Sequence, residues 1–157
     1  MLKAKNNNVF NFLKFLFDVR KIDFVHIKQY LERNEWSLVM FNTPSGDALI
    51  KKLNLQDITT RTDGFVYEMN CLKYVFINGH LSERDKLITL LHEVGHIELN
   101  QDLTVQDNKA NELDAWSFAG NLYNFKVFCK TQLIVIGIDL LITVSALSGA
   151  VLAIKGI

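Results

Sequence analysis

The sequence predicts an α+β domain, a short antiparallel sheet packed on a helix pair, followed by an apolar carboxyl-terminal helix. Three observations carry this. Runs rich in β-branched and aromatic residues occur at Trp36–Phe41, Phe65–Glu68 and Leu72–Ile77. After Ser82 the apolar residues recur at helical rather than alternating spacing. The stretch "LIVIGIDLLITVSALSGAVLAI", Leu133 to Ile154, has Asp139 as its single charge. As a helix it would span roughly 33 Å, the thickness of a bilayer core.

The elements follow in order. Val9 to Val19 is apolar almost all round and predicts a short helix buried against the body. Phe24, Ile27, Tyr30 and Leu31 have the spacing of an amphipathic helix from about Asp23 to Asn34. "WSLVMF" reads as a strand, and "TPSGD", Thr43 to Asp47, as the turn that ends it. The two strand-like runs within Gly64 to Asn78 predict a hairpin, with Met69, Asn70 and Cys71 between them. Asn78 to His80 turns the chain, and Ser82 with Asp85 three residues on signals the cap of a helix running to about Asn100. Gln101 to Asn108 is a polar connection, after which Leu113, Trp116, Ala119, Leu122 and Tyr123 resume helical spacing.

Composition excludes several functions. The 157 residues carry 17 basic and 17 acidic side chains, with no basic run longer than Lys51-Lys52, so no nucleic-acid footprint is present. Cys71 and Cys129 lie too far apart in sequence for a zinc-ligand or redox motif, which fits a reduced, cytoplasmic chain. The amino-terminal segment lacks the pattern of a secretory signal. On insertion scales the Leu, Ile and Val residues of 133–154 outweigh Asp139, predicting a membrane anchor on a cytoplasmic domain; Lys126 and Lys130 agree with the positive-inside rule.

The chemistry concentrates in "LLHEVGHIEL". An H-E-x-x-H string arises by chance in a chain this short on the order of once in a few hundred sequences. On a helix His92 and His96 stand one turn apart on the same face, where two imidazoles can reach one ion, and Glu93 adjoins that face. Zinc held by three protein ligands keeps an open position for water, and a neighbouring carboxylate can take that water's proton. The third ligand is expected from "NELDAW". Glu112 and Asp114 point about 200° apart on a helix, so only one faces the ion. Glu112 is the choice, because Ala115 and Ala119 then share its stripe and allow a close approach to the His92 helix. Gly95 is expected to serve the same packing, a mid-helix glycine otherwise costing about 1 kcal/mol.

"YVFINGHLSERDKLITLLHEVGHIEL", followed by "ANELDAWSFA", resembles the ImmA/IrrE metallopeptidases, whose pattern is a strand ending I-x-I-N, then H-E-hydrophobic-G-H, then E-x-E-A-x-x-F-A. The resemblance covers about a third of the chain closely and residues 20 to 125 in outline, and implies a zincin-like domain, expected over residues 1–130; the hydrophobic helix expected at residues 131–157 is not part of the family pattern. It implies His92, His96 and Glu112 as zinc ligands and Glu93 as general base of an endopeptidase. Several family members cleave helix-turn-helix repressors, so a regulator, a repressor or a membrane-associated peptide is the expected substrate. Asp114 stands where the family has a second glutamate, and "GNLYNF" replaces its leucine-rich run. The alternative is a non-catalytic zinc-containing module that binds a protein partner, tethered or dimeric through its last helix.

Overall fold

The computed structural model describes the backbone of residues 2–19, 21–101 and 109–154, and the side chains of residues 11–19, 21–101 and 109–132. Helix α1 spans Leu2–Val19 and sends Phe15 and Val19 into the core, while Phe17 on its other face is exposed. Asp23 caps helix α2, Phe24–Arg33, by accepting a hydrogen bond from the His26 amide. Strand β1 is Ser37–Phe41.

The chain does not turn back at "TPSGD". Thr43 accepts from the Gly46 amide as an N-cap and Pro44 occupies the first turn, so helix α3, Pro44–Leu53, begins there and is followed by the single turn α4, Gln56–Thr59. Proline there lacks only an amide that no helix would have bonded, and Asp47 favours the positive end of the helix dipole. The expected turn is a helix start, and that changes the sheet.

Because α3 carries the chain away from β1, strand β2, Gly64–Met69, enters at the far edge, and β3, Leu72–Asn78, folds between the two. The β2–β3 pair is antiparallel, joined at Asn70 and Cys71, whose φ values of 49° and 65° suit a two-residue hairpin turn. The β1–β3 pair is parallel, so the sheet of order β1-β3-β2 is mixed rather than antiparallel as expected. Period-two alternation along β3 feeds two cores. Val75 and Ile77 join Phe15, Ile27, Leu31, Leu90 and Leu91 on one side, and Phe76 joins Phe41, Ile50 and Leu55 on the other.

Ser82 caps helix α5, Glu83–Glu98, through the Asp85 amide. The connection expected at Gln101 to Asn108 lies, beyond Gln101, outside the described residues. Helix α6 is Lys109–Ile154. Two compact units divide the chain, Met1–Tyr123 and Asn124–Ile157. Among the described residues no helix is long and apolar enough to cross a membrane. The expected anchor at 133–154 falls outside the residues whose side chains are described, which leaves that anchor, and the location built on it, without structural support.

Candidate metal centre

Helix α5 is fixed by a stripe of Leu87, Leu90, Leu91 and Val94, all buried, at the spacing of one helical face. That anchoring carries His92 and Glu93 into the interior, 7% and 4% exposed, and leaves His96 half-buried one turn on. The first turns of α6 come close because their contact face is small. A Cβ on Gly95 would stand 3.1 Å from both the Cα and the carbonyl oxygen of Ala115, so a larger residue would push the two helices apart. Ala115 and Ala119 are buried at that contact, and Glu112 projects from the turn before Ala115.

The consequence is a cluster of two imidazoles and one carboxylate. Glu112 Oε2 lies 3.3 Å from His92 Nε2, Glu112 Oε1 lies 3.4 Å from His96 Nε2, and the two Nε2 atoms are 3.1 Å apart. Metal–ligand bonds of about 2.0–2.1 Å in a tetrahedron require ligand atoms about 3.3–3.4 Å apart, and each of these contacts is close to that spacing, with each imidazole meeting a different oxygen of Glu112. Among the described residues His92, His96 and Glu112 form the group able to hold a metal ion. Asp114 is exposed and outside it.

The protonation states suit a cation. Burial, with the neighbouring His96 charge adding, pulls the His92 imidazole down to about 4, so its ring is neutral near pH 7. His96 Nδ1 is 2.5 Å from Gln101 Oε1, which turns the other ring nitrogen toward Glu112. Among the described residues His92 Nδ1 is buried without a hydrogen-bond partner, and the ring is covered by Trp116, with ring centroids 4.2 Å apart and planes tilted by 32°.

Glu93 lies against the start of β2 and within electrostatic reach of Glu112. A Cβ on Gly64 would lie 3.0 Å from Glu93 Oε1 and 2.5 Å from the Thr89 methyl, so glycine lets the sheet edge come this near. Burial first, then the Glu112 charge, push the Glu93 carboxyl up to about 8. A divalent cation on the adjacent ligands favours its ionised form, so the group can trade a proton near neutral pH.

Sequence reading named His92, Glu93, His96 and Glu112, and the fold gathers the two imidazoles and Glu112 at one point with Glu93 beside them. Gln101 and Trp116 went unnoticed as neighbours of the site. Trp116 sits one turn beyond Glu112, a spacing that could have found it. Gln101 could have been found from Asn100, a residue type that readily ends a helix in the left-handed conformation.

Residues 47–123 match the peptidase family described as the IrrE N-terminal-like domain, a segment that holds β2, β3, α5 and all three ligand residues. No curated protein and no solved structure matches the chain.

Proposed function

We propose, from the premise that this chain carries the IrrE N-terminal-like peptidase domain, that it is a zinc-dependent endopeptidase acting on a protein or peptide. The single observation that carries the reading is the meeting, from two helices, of two imidazole nitrogens 3.1 Å apart with the Glu112 carboxylate, whose two oxygens lie 3.3 and 3.4 Å from one nitrogen each. His92, His96 and Glu112 would hold the ion, a His₂Glu set typical of hydrolytic zinc with a position left open. Bound zinc supplies Lewis acidity, polarising the scissile carbonyl and acidifying water.

The chain's own groups do the rest. Glu93 takes one proton as water oxygen bonds to the carbonyl carbon, and returns it to the nitrogen as the C–N bond breaks. The products are a carboxylic acid and an amine, and Glu93 ends as it began. Gln101 and Trp116 hold the imidazoles in place, and the buried wall of α5 and β2 keeps Glu93 away from bulk solvent. In this reading residues 1–130 form the catalytic domain and residues 131–157 a separate carboxyl-terminal segment.

Zinc-loaded wild-type chain and its Glu93→Gln variant, each incubated with native cell extract, test the reading by comparison of newly formed peptide termini. Both should retain zinc, and new termini should appear with the wild type alone. Termini from the variant as well would remove Glu93 from the mechanism. Zinc uptake without new termini from either protein would leave a binding module instead of a peptidase.

A further inference from the structure

Helix α5 ends in a way that brings Gln101 back to the site. Asn100 takes φ 49°, and beyond it the Gln101 amide bonds the His96 carbonyl oxygen at 3.1 Å while the Asn100 amide bonds that of Ile97, also at 3.1 Å. This is the six-to-one closure of a Schellman cap. It stacks the residue after the left-handed one over the third-last helical position, which here is His96. The reversal sets the Gln101 side chain between two partners, His96 Nδ1 at 2.5 Å and the carbonyl oxygen of Asn111 at 3.1 Å.

The direction of these bonds is forced. A backbone carbonyl only accepts, so the Gln101 contact there is its NH₂ group, which leaves its Oε1 for His96. An amide oxygen also only accepts, so His96 Nδ1 carries the hydrogen. The remaining His96 nitrogen, Nε2, then offers its lone pair to the cluster with Glu112, the residue next to Asn111. A carbonyl at the start of α6 thus selects the tautomer of a ligand on α5, one residue from where α6 supplies its own ligand.

We infer that Gln101 is a positioning residue of the metal centre, an amide relay that fixes the His96 tautomer and ring orientation and ties α5 to α6 at the ligand set. The inference rests on His96 being a ligand under the proposed function, though not on any cleavage. Among the described residues His92 Nδ1 has no partner, so Gln101 acts on one imidazole of the two.

The test is metal binding by the full chain, read by competition with a chromophoric chelator for zinc and by the visible absorption of the cobalt-substituted protein. Gln101→Leu removes both halves of the relay and should weaken zinc binding by roughly 10–100-fold, the usual loss when an outer-shell partner of a histidine ligand is removed. Gln101→Glu keeps an acceptor at His96 and gives up the bond to Asn111. It should stay within a few-fold of wild type in affinity and shift the cobalt bands, because a carboxylate makes the imidazole a stronger donor. Wild-type affinity in Gln101→Leu overturns the inference. So do equal losses in the two variants with unmoved cobalt bands, which would mark Gln101 as a helix-end residue only. A wild-type chain that takes up neither ion overturns the metal centre itself, a failure distinct from that of the relay.

Discussion

At the scale of single residues, Glu93 is in the most unusual state, a carboxyl buried among α5 and β2 and held up to about 8 by desolvation and by Glu112. In an unfolded chain the same group titrates near the ordinary glutamate value. The folded metal-free protein therefore keeps a proton that the unfolded chain has lost, and this contribution, full below the unfolded value, disappears as pH rises toward 8. His92 opposes it only below the ordinary histidine range, since burial lowers that group. Between pH 6.5 and 8, chelator-treated wild-type protein should lose roughly 1–2 kcal/mol that Glu93→Gln retains. Denaturant midpoints of both proteins at the two pH values give the comparison. Parallel pH dependence of wild type and variant would mean that Glu93 is already solvated and ionised.

At the scale of elements, the site depends on how closely α5 and the first turns of α6 approach. Gly95→Ala improves helix propensity by up to about 1 kcal/mol. It also drives a methyl to 3.1 Å from the Ala115 backbone, which cannot swing aside as a side chain could. Overpacking of this kind costs roughly 1–3 kcal/mol, and the separation it forces moves Glu112 relative to both imidazoles. Gly95→Ala should therefore lower both unfolding stability and zinc affinity, the latter by at least about tenfold, measured by denaturant titration and chelator competition. An alanine variant with unchanged zinc affinity would show that the helix spacing has slack. The strands teach a related lesson. Asn70 and Cys71 turn a hairpin that alternation had foreseen, whereas Thr43 and Pro44 are equally good letters for a turn and for a helix start.

At the scale of the whole molecule, the ligands come from positions twenty residues apart, and only the folded unit Met1–Tyr123 presents them together. An ion that binds this arrangement and not the unfolded chain must stabilise the fold. At free zinc about 1,000 times the dissociation constant the gain is about 4 kcal/mol, a rise in melting midpoint on the order of 10 °C. Differential scanning calorimetry with and without chelator measures it, and His96→Ala should show little of the shift. A midpoint indifferent to zinc in the wild type would mean that the folded chain binds no zinc in preference to the unfolded one.

The HExxH spacing, the Ser82 cap, helix α2 and the β2–β3 hairpin were legible in the sequence, because each is decided by residues within a few positions of one another. Glu112 over Asp114 was also within reach, through the alanine stripe that follows it. The order β1-β3-β2, the parallel pairing of β1, and the carbonyl of Asn111 that sets a histidine tautomer through Gln101 were not. These depend on which surfaces meet once α3 has carried the chain across the sheet and α5 has folded back on itself. Local letters determine which groups can bind a cation. Long-range packing alone determines that two imidazoles and a carboxylate from separate helices meet at contacts of 3.1–3.4 Å.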